Sequence, residues 1–178
     1  MNKKLFALYL GGMAKGCHIE LHDVMFAVGE TYKDTYEQVL EHWFGLKNEV
    51  HLDSWMILDV VDGYKVSLSE EKSANNKKLY FINLGAYLPN DFKEHHASTF
   101  LVAENEDEVK VRAKQNLLNG YDLVHKDDLY EVDDCLSITE VHGLHVHLTP
   151  TNEPENLKPN NNYFVIPQKV VEAYLNKQ

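Results

Sequence analysis

The stretch that most constrains the fold is Lys3-Lys4-Leu5-Phe6-Ala7-Leu8-Tyr9-Leu10-Gly11-Gly12. It recurs 74 residues later as Lys77-Lys78-Leu79-Tyr80-Phe81-Ile82-Asn83-Leu84-Gly85-Ala86. The offset continues downstream, where Glu20, His22, Phe26, Val28 and Glu30 meet identical residues at Glu94, His96, Phe100, Val102 and Glu104. His51 and Asp53 then fall on His125 and Asp127. After about six extra residues, assigned to Tyr130–Asp134, the offset becomes 80, and Val61, Gly63, Val66 and Leu68 meet Val141, Gly143, Val146 and Leu148. A repeat at this scale decides the architecture before any single element does. Two copies are too few for a solenoid. The expectation is an α+β chain of tandem duplicated ββαββ halves, a pseudo-twofold and mainly antiparallel body. Residues 1–74 form the first repeat, 75–149 the second, and 150–178 a C-terminal extension with a strand and a helix.

Within each repeat the local grammar is readable. Leu5–Leu10 is an apolar run ending at two glycines, which predicts a buried strand followed by a loop over Gly11–His18. Leu21–Val28 is apolar on both alternating faces, as a strand covered on both sides requires. Thr31 with Asp34 suggests a capped helix carrying Tyr32, Tyr36, Val39, Leu40, Trp43 and Phe44 at helical spacing, stopped by a left-handed Gly45. The second copy repeats this with Asn105, Glu108, Val109, Ala113, Leu117 and Gly120. Trp55–Val61 and Tyr64–Leu68 flank Asp62-Gly63, a type I′ hairpin signal, and His142-Gly143 is its counterpart. Ser69–Asn76 is a polar connector between the copies. After Pro150, Pro154 and Pro159 the chain predicts a strand over Tyr163–Ile166. A helix from Pro167 follows, with Val170, Val171, Tyr174 and Leu175 on its apolar side. This tail has no twin and is expected to cover a sheet edge.

Charge narrows the function classes. With 28 acidic against 17 basic residues and a net charge of −11, neither nucleic acid nor an anionic membrane is an expected partner. Cys17 and Cys135 occupy unmatched positions, which fits a reducing cytoplasm better than a disulfide framework. The basic, then apolar, start resembles a signal peptide, but its recurrence at Lys77 argues that both copies are strands.

Leu10-Gly11-Gly12, Gly16, Ile19-Glu20-Leu21-His22-Asp23-Val24 and the strand ending in Val28-Gly29 together resemble an uncharacterised bacterial family, the domain of unknown function numbered fifteen-forty-three. The resemblance is closest over the first thirty or so residues, and the second copy looks like a degraded version of the same pattern. It implies no activity, cofactor or catalytic residue.

Candidate ligand-binding residues are Gly11, Gly12, Glu20, His22, Asp23, Glu94 and His96. A carboxylate and an imidazole two residues apart share one strand face, which suits an acid–base pair or metal ligands. The same pair also suits a hydrogen bond that ties the loop to the strand entrance. If the halves meet about a twofold axis, Glu20, His22, Glu94 and His96 converge; Asp23 is replaced by Ala97 in the second copy. His145 and His147, with His95-His96, are candidate metal ligands, against a solvated face formed by Val146 and Leu148 pointing inward. Gly11-Gly12 lack the spacing of a phosphate-binding fingerprint, so a tight turn is expected there.

These residues predict a cytoplasmic small-ligand or protein-binding, regulatory module. The alternative is a metal-assisted or acid–base enzyme built on the Glu-x-His pairs. No particular cofactor or partner follows, and the chain is expected as a monomer with pseudo-dimeric halves or as a homodimer.

Overall fold

The computed structural model describes residues 3–87, 90–117 and 132–177. In the first half, β1 (Lys4–Gly12) pairs antiparallel with β2 (Leu21–Gly29) and, on its other side, with β3 (His51–Ile57). The hairpin β4 (Val60–Val61) and β5 (Tyr64–Ser69) follows. In the second half, β6 (Lys78–Tyr87) lies between β7 (Glu94–Ala103) and β8 (Val132–Ile138), and the hairpin β9 (Glu140–Val141) and β10 (Leu144–Pro150) follows. The chain closes with β11 (Asn160–Val165) and a terminal helix.

The registers carry the duplication into three dimensions. Lys4 pairs with Gly29 and Lys78 with Ala103, so both strand pairs keep the 74-residue offset. A bulge falls between Tyr9 and Leu10 on β1 and between their twins Asn83 and Leu84 on β6. The third sheet has the order β4-β5-β10-β9 and joins the halves. In it Ser67 pairs with His147, its own equivalent at offset 80, so the pseudo-twofold axis passes through that pair. Every described strand pairing is antiparallel.

Both faces of β1 are covered, which is why its sequence is apolar throughout. Leu5 and Ala7 enter a core shared by the halves, with Val28, Val66, Leu79, Phe81, Val102 and Val146. Phe26, Phe81 and Phe100 meet there edge to face or tilted, with centroids 5.4–6.2 Å apart. Phe6, Leu8 and Leu10 face the other way, into a core closed by Val39, Leu40, Trp43, Ile166 and Val171. The second half has its own smaller counterpart around Tyr80, Leu101 and Val109.

Several expectations need correction. The segment Trp55–Val61 is not one strand: β3 ends at Ile57, Leu58 N–H donates to Leu5 O at 2.9 Å, and the chain crosses into the joining sheet. Gly11 and Gly12 are strand residues rather than a loop or tight turn. The first helix begins as one 3-10 turn (Tyr32–Thr35), where Asp34 accepts from Thr31 N–H at 2.7 Å, a bond that holds its carboxyl below the usual range. The α-helix proper, α1 (Tyr36–His42), ends because Trp43 turns extended to bury its ring. Phe44 is therefore 63% exposed, outside the apolar stripe. Gly45 is not left-handed. A Cβ there would run into Met13 O and lie 2.7 Å from Trp43 Nε1, so close approach explains it.

The second helix, α2 (Glu106–Leu117), is capped as expected by Asn105 Oδ1, which accepts Glu108 N–H at 3.0 Å; Gly120 lies outside the described residues. Val132–Asp134 belong to β8, with Val132 opposite Leu84 as Leu52 is opposite Leu10, so these three are not part of the insertion, and Tyr130 lies outside the described residues. The offset is already 80 there. His51 and Asp53 therefore do not correspond to His125 and Asp127, which lie outside the described residues. Both turns are left-handed at both centres, Asp62 and Gly63 at φ 51° and 78°, His142 and Gly143 at 50° and 77°. In the tail, β11 covers the β3 edge and α3 (Gln168–Leu175) buries Val171, whereas Leu175 is exposed. Among the described residues no helix is long and apolar enough to cross a membrane.

Candidate functional site

On β1, Gly11 is opposite His22 of β2 on one side and His51 of β3 on the other. Directly opposed residues share a sheet face. Two imidazoles therefore stand on either side of a position with no side chain. The bulge after Tyr9 leaves Asp53 without a partner on β1, between Leu52 and Ser54, and bulges re-aim side chains in this way. The consequence is visible at Gly11, where a Cβ would lie 2.6 Å from Asp53 Oδ2 and 2.7 Å from His51 Nε2.

Glu20, one residue before β2, completes a ring of alternating carboxylates and imidazoles. His51 Nε2 lies 3.1 Å from Asp53 Oδ1 and 3.2 Å from Glu20 Oε1, while His22 Nε2 lies 3.4 Å from Asp53 Oδ2 and 3.7 Å from Glu20 Oε2. His51 is only 2% exposed, whereas the Glu20 and His22 side chains are each 41% exposed. His51 Nδ1 lies 3.4 Å from Glu49 O, and Nε2 faces the two carboxylates. Despite the short distances, His51 Nε2 and Asp53 Oδ2 are buried without an aligned hydrogen bond. Tyr163 of β11 covers the His51 ring at 4.0 Å, and Tyr9 stacks on His22 at 5.4 Å. Burial, reinforced by the Asp53 charge, raises the Tyr9 phenol and keeps it protonated.

The exposed side of this ring opens on a cleft of about 670 Å³ between the halves. Tyr9, Glu20 and His22 line it from the first half, and Asn83, His96 and Ser98 from the second. Asn83 and His96 are the twins of Tyr9 and His22. Of the four residues expected to converge, Glu20, His22 and His96 line this cleft. Glu94 stands 3.7 Å from His96, the same separation as Glu20 from His22. Asn83 Nδ2 donates to His96 Nδ1 at 3.2 Å. The equivalent of His51 is position 131, outside the described residues.

Other predicted residues lie outside the ring. Asp23 also lines the cleft, but its side chain is held by His42 Nε2 at 2.9 Å and by Val24 N–H at 2.8 Å rather than by the ring. Gly12 is a packing position, where a Cβ would meet Trp43 at 2.9 Å and Glu49 O at 3.0 Å. Val146 and Leu148 do point inward, but His145 faces Glu140 at 3.5 Å and His147 bonds Glu71 O at 2.8 Å. His95 is paired with Asp91 at 2.7 Å in a different sheet. Among the described residues no three His, Cys, Asp or Glu side chains are disposed to hold a metal ion, and the ring around Gly11 is a set of pairwise contacts. Sequence reasoning passed over His51 and Asp53 as site residues. Their i, i+2 spacing, the same as that of Glu20 and His22, was the available signal.

A family profile described as "Domain of Unknown Function (DUF1543)" matches residues 17–68 and 91–148, one match in each half. The crystal structure of a protein Il1583 from Idiomarina loihiensis is similar at a TM-score of 0.76 and 35% sequence identity, over 93% of this chain and 99% of that chain. No curated protein matches the chain.

Proposed function

Given that the chain belongs to the DUF1543 family, which carries no activity to inherit, we propose from the site itself that it is a binding module for a small polar ligand. The ligand enters the cleft between the halves and is held by the Glu20–His22–His51–Asp53 ring. The observation that carries this is His51 Nε2, buried and aimed at two carboxylates yet aligned with neither. Buried polar atoms without partners are costly, and a site that keeps them gains by completing them. A ligand bearing hydrogen-bond donors meets that need, with Glu20 and His22 as its accessible contacts. The cleft volume falls in the range of small-molecule sites.

A second reading is favoured by one feature. Among the described residues the Glu20 and His22 side chains meet His51, Asp53 and each other rather than a backbone group, so their pairing does not serve to fix a turn. An imidazole flanked by two carboxylates at a cleft wall is the arrangement of a general acid–base pair with its orienting group. In either reading the chain is expected in the cytoplasm, as a monomer with pseudo-dimeric halves or as a homodimer, with neither nucleic acid nor membrane as partner.

Thermal melts against small polar metabolites and against zinc, manganese, iron and nickel salts test the proposal on wild type, His22→Ala and His51→Gln. A compound that raises the wild-type midpoint and loses its effect in both variants supports the module. Turnover of that compound, lost in His22→Ala while binding persists, moves the reading to the enzyme. A metal shift lost with His22 brings metal-assisted chemistry forward. No shift with any compound or metal rejects the site.

A further inference from the structure

The joining sheet creates a second pair of features that the Gly11 cleft does not use. A cleft of about 740 Å³ is lined by Lys3, Lys4, Lys65 and Lys158. Another, of about 320 Å³, is lined by Lys72, Lys77, Lys78 and His145. They are twofold mates. Lys77 and Lys78 are the copies of Lys3 and Lys4 at offset 74, and His145 is the copy of Lys65 at offset 80. Leu5, Leu58 and Val66 line the first, and their equivalents Leu79, Ile138 and Val146 line the second. Even the outer walls correspond. The end of β10 lies against the start of β5, which brings the tail to the first cleft, and the antiparallel pairing brings the connector after β5 to the second.

Seven of the seventeen Lys and Arg residues of a chain with net charge −11 therefore line two equivalent clefts. Among the described residues Lys65 is tied to Asp59 at 3.0 Å and Glu153 at 3.2 Å, but Lys3, Lys4 and Lys158 form no ion pair. Lys72, Lys77 and Lys78 form none either, Lys77 resting 5.7 Å from the Tyr64 ring. Asp59 is the carboxylate among the residues lining the first cleft and Glu140 the one lining the second, so lysines outnumber acids in both, and gathering such an excess of like charge costs free energy unless an anion is supplied. Ser67 and Asn156 add polar groups in the first cleft, and Ser73 and Asn75 in the second.

We propose that these clefts are two pseudo-equivalent sites for a small multiply charged oxyanion, carrying phosphate or carboxylate groups, and that the larger cleft binds it more tightly. The cleft volumes suit a small molecule rather than a macromolecular surface. The tail makes the difference between the sites by adding Lys158 and Asn156 to the first.

Calorimetric titration of the full chain at low ionic strength, with pyrophosphate and with citrate, tests this. Two sites are expected for the preferred anion, and which anion binds separates phosphate from carboxylate chemistry. Lys3→Gln with Lys4→Gln and Lys158→Gln should weaken the tighter site by at least about tenfold, the scale of one lost charge-assisted bond. Lys77→Gln with Lys78→Gln should weaken only the other. A control, Lys33→Gln with Lys169→Gln, should bind as wild type, and melts confirm that each variant folds. Failure of both anions to bind overturns the proposal. So does an equal loss in the control, which would mean diffuse attraction.

Discussion

At the scale of single residues, glycine has a different task at each of two adjacent positions. Gly11 leaves room for the ends of Asp53 and His51, and Gly12 leaves room for Trp43 and the backbone of Glu49 and Val50. Alanine in a strand is ordinarily better than glycine. Here contacts under 3.0 Å decide the sign, because His51 is enclosed and cannot yield. Gly11→Ala should destabilise by about 1–3 kcal/mol, the usual cost of overpacking, and should displace the His51–Asp53 contact. Gly12→Ala should cost more, since its obstacles include backbone. Urea unfolding of both variants checks the order; a Gly11→Ala protein as stable as wild type would mean that the ring around Gly11 is loose.

At the scale of elements, each hairpin turn reaches across to the other half. Asp62, at the tip of the first hairpin, accepts Val102 N–H at 2.8 Å and Arg112 NH2 at 2.7 Å, while Arg112 NH1 donates to Val102 O at 2.9 Å. The twin of Arg112 is Gln38, which meets both needs of Val28 alone, accepting its N–H at 3.0 Å and donating to its carbonyl at 2.8 Å. One helix position thus clamps the end of the second strand in both halves, with an ion pair added in one. Asp62→Asn keeps a residue tolerant of positive φ and removes only the charge. It should cost about 1.5–3 kcal/mol, as hydrogen bonds to charged groups do. With Arg112→Gln the double-mutant cycle should be non-additive by about 0.5–3 kcal/mol. Additive losses in chemical denaturation would show that the two side chains act separately.

At the scale of the molecule, the tail makes the halves unequal. It extends the first sheet with β11, supplies Ile166 and Val171 to the core beside α1, and lays Tyr163 over His51. Burying two such aliphatic side chains is worth about 3–6 kcal/mol, comparable to the net stability of a domain. Truncation before Asn160 should therefore melt the first half, with amide exchange speeding in β1–β3 while β6–β7 stay protected. Uniform exchange throughout would mean that the halves unfold as one unit.

Much of this was already written in the sequence, because duplication and local chemistry are linear properties. The repeat, the strand alternation, both turns at Asp62-Gly63 and His142-Gly143, and the Asn105 cap depend on neighbours a few residues away. The twofold arrangement follows from the same repeat, since equal halves with equal apolar faces cover one another. Tertiary structure alone decided what depends on distant partners. Glycines at 11 and 12 read as a turn, because a missing side chain looks the same whether it frees the backbone or makes room for His51, Asp53 and Trp43. The strand break at Leu58 was invisible because both sheets demand the same alternation. Glu20 and His22 were recognisable as a pair, but their partners His51 and Asp53 reach them only through the register of β3 against β1 and the bulge after Tyr9.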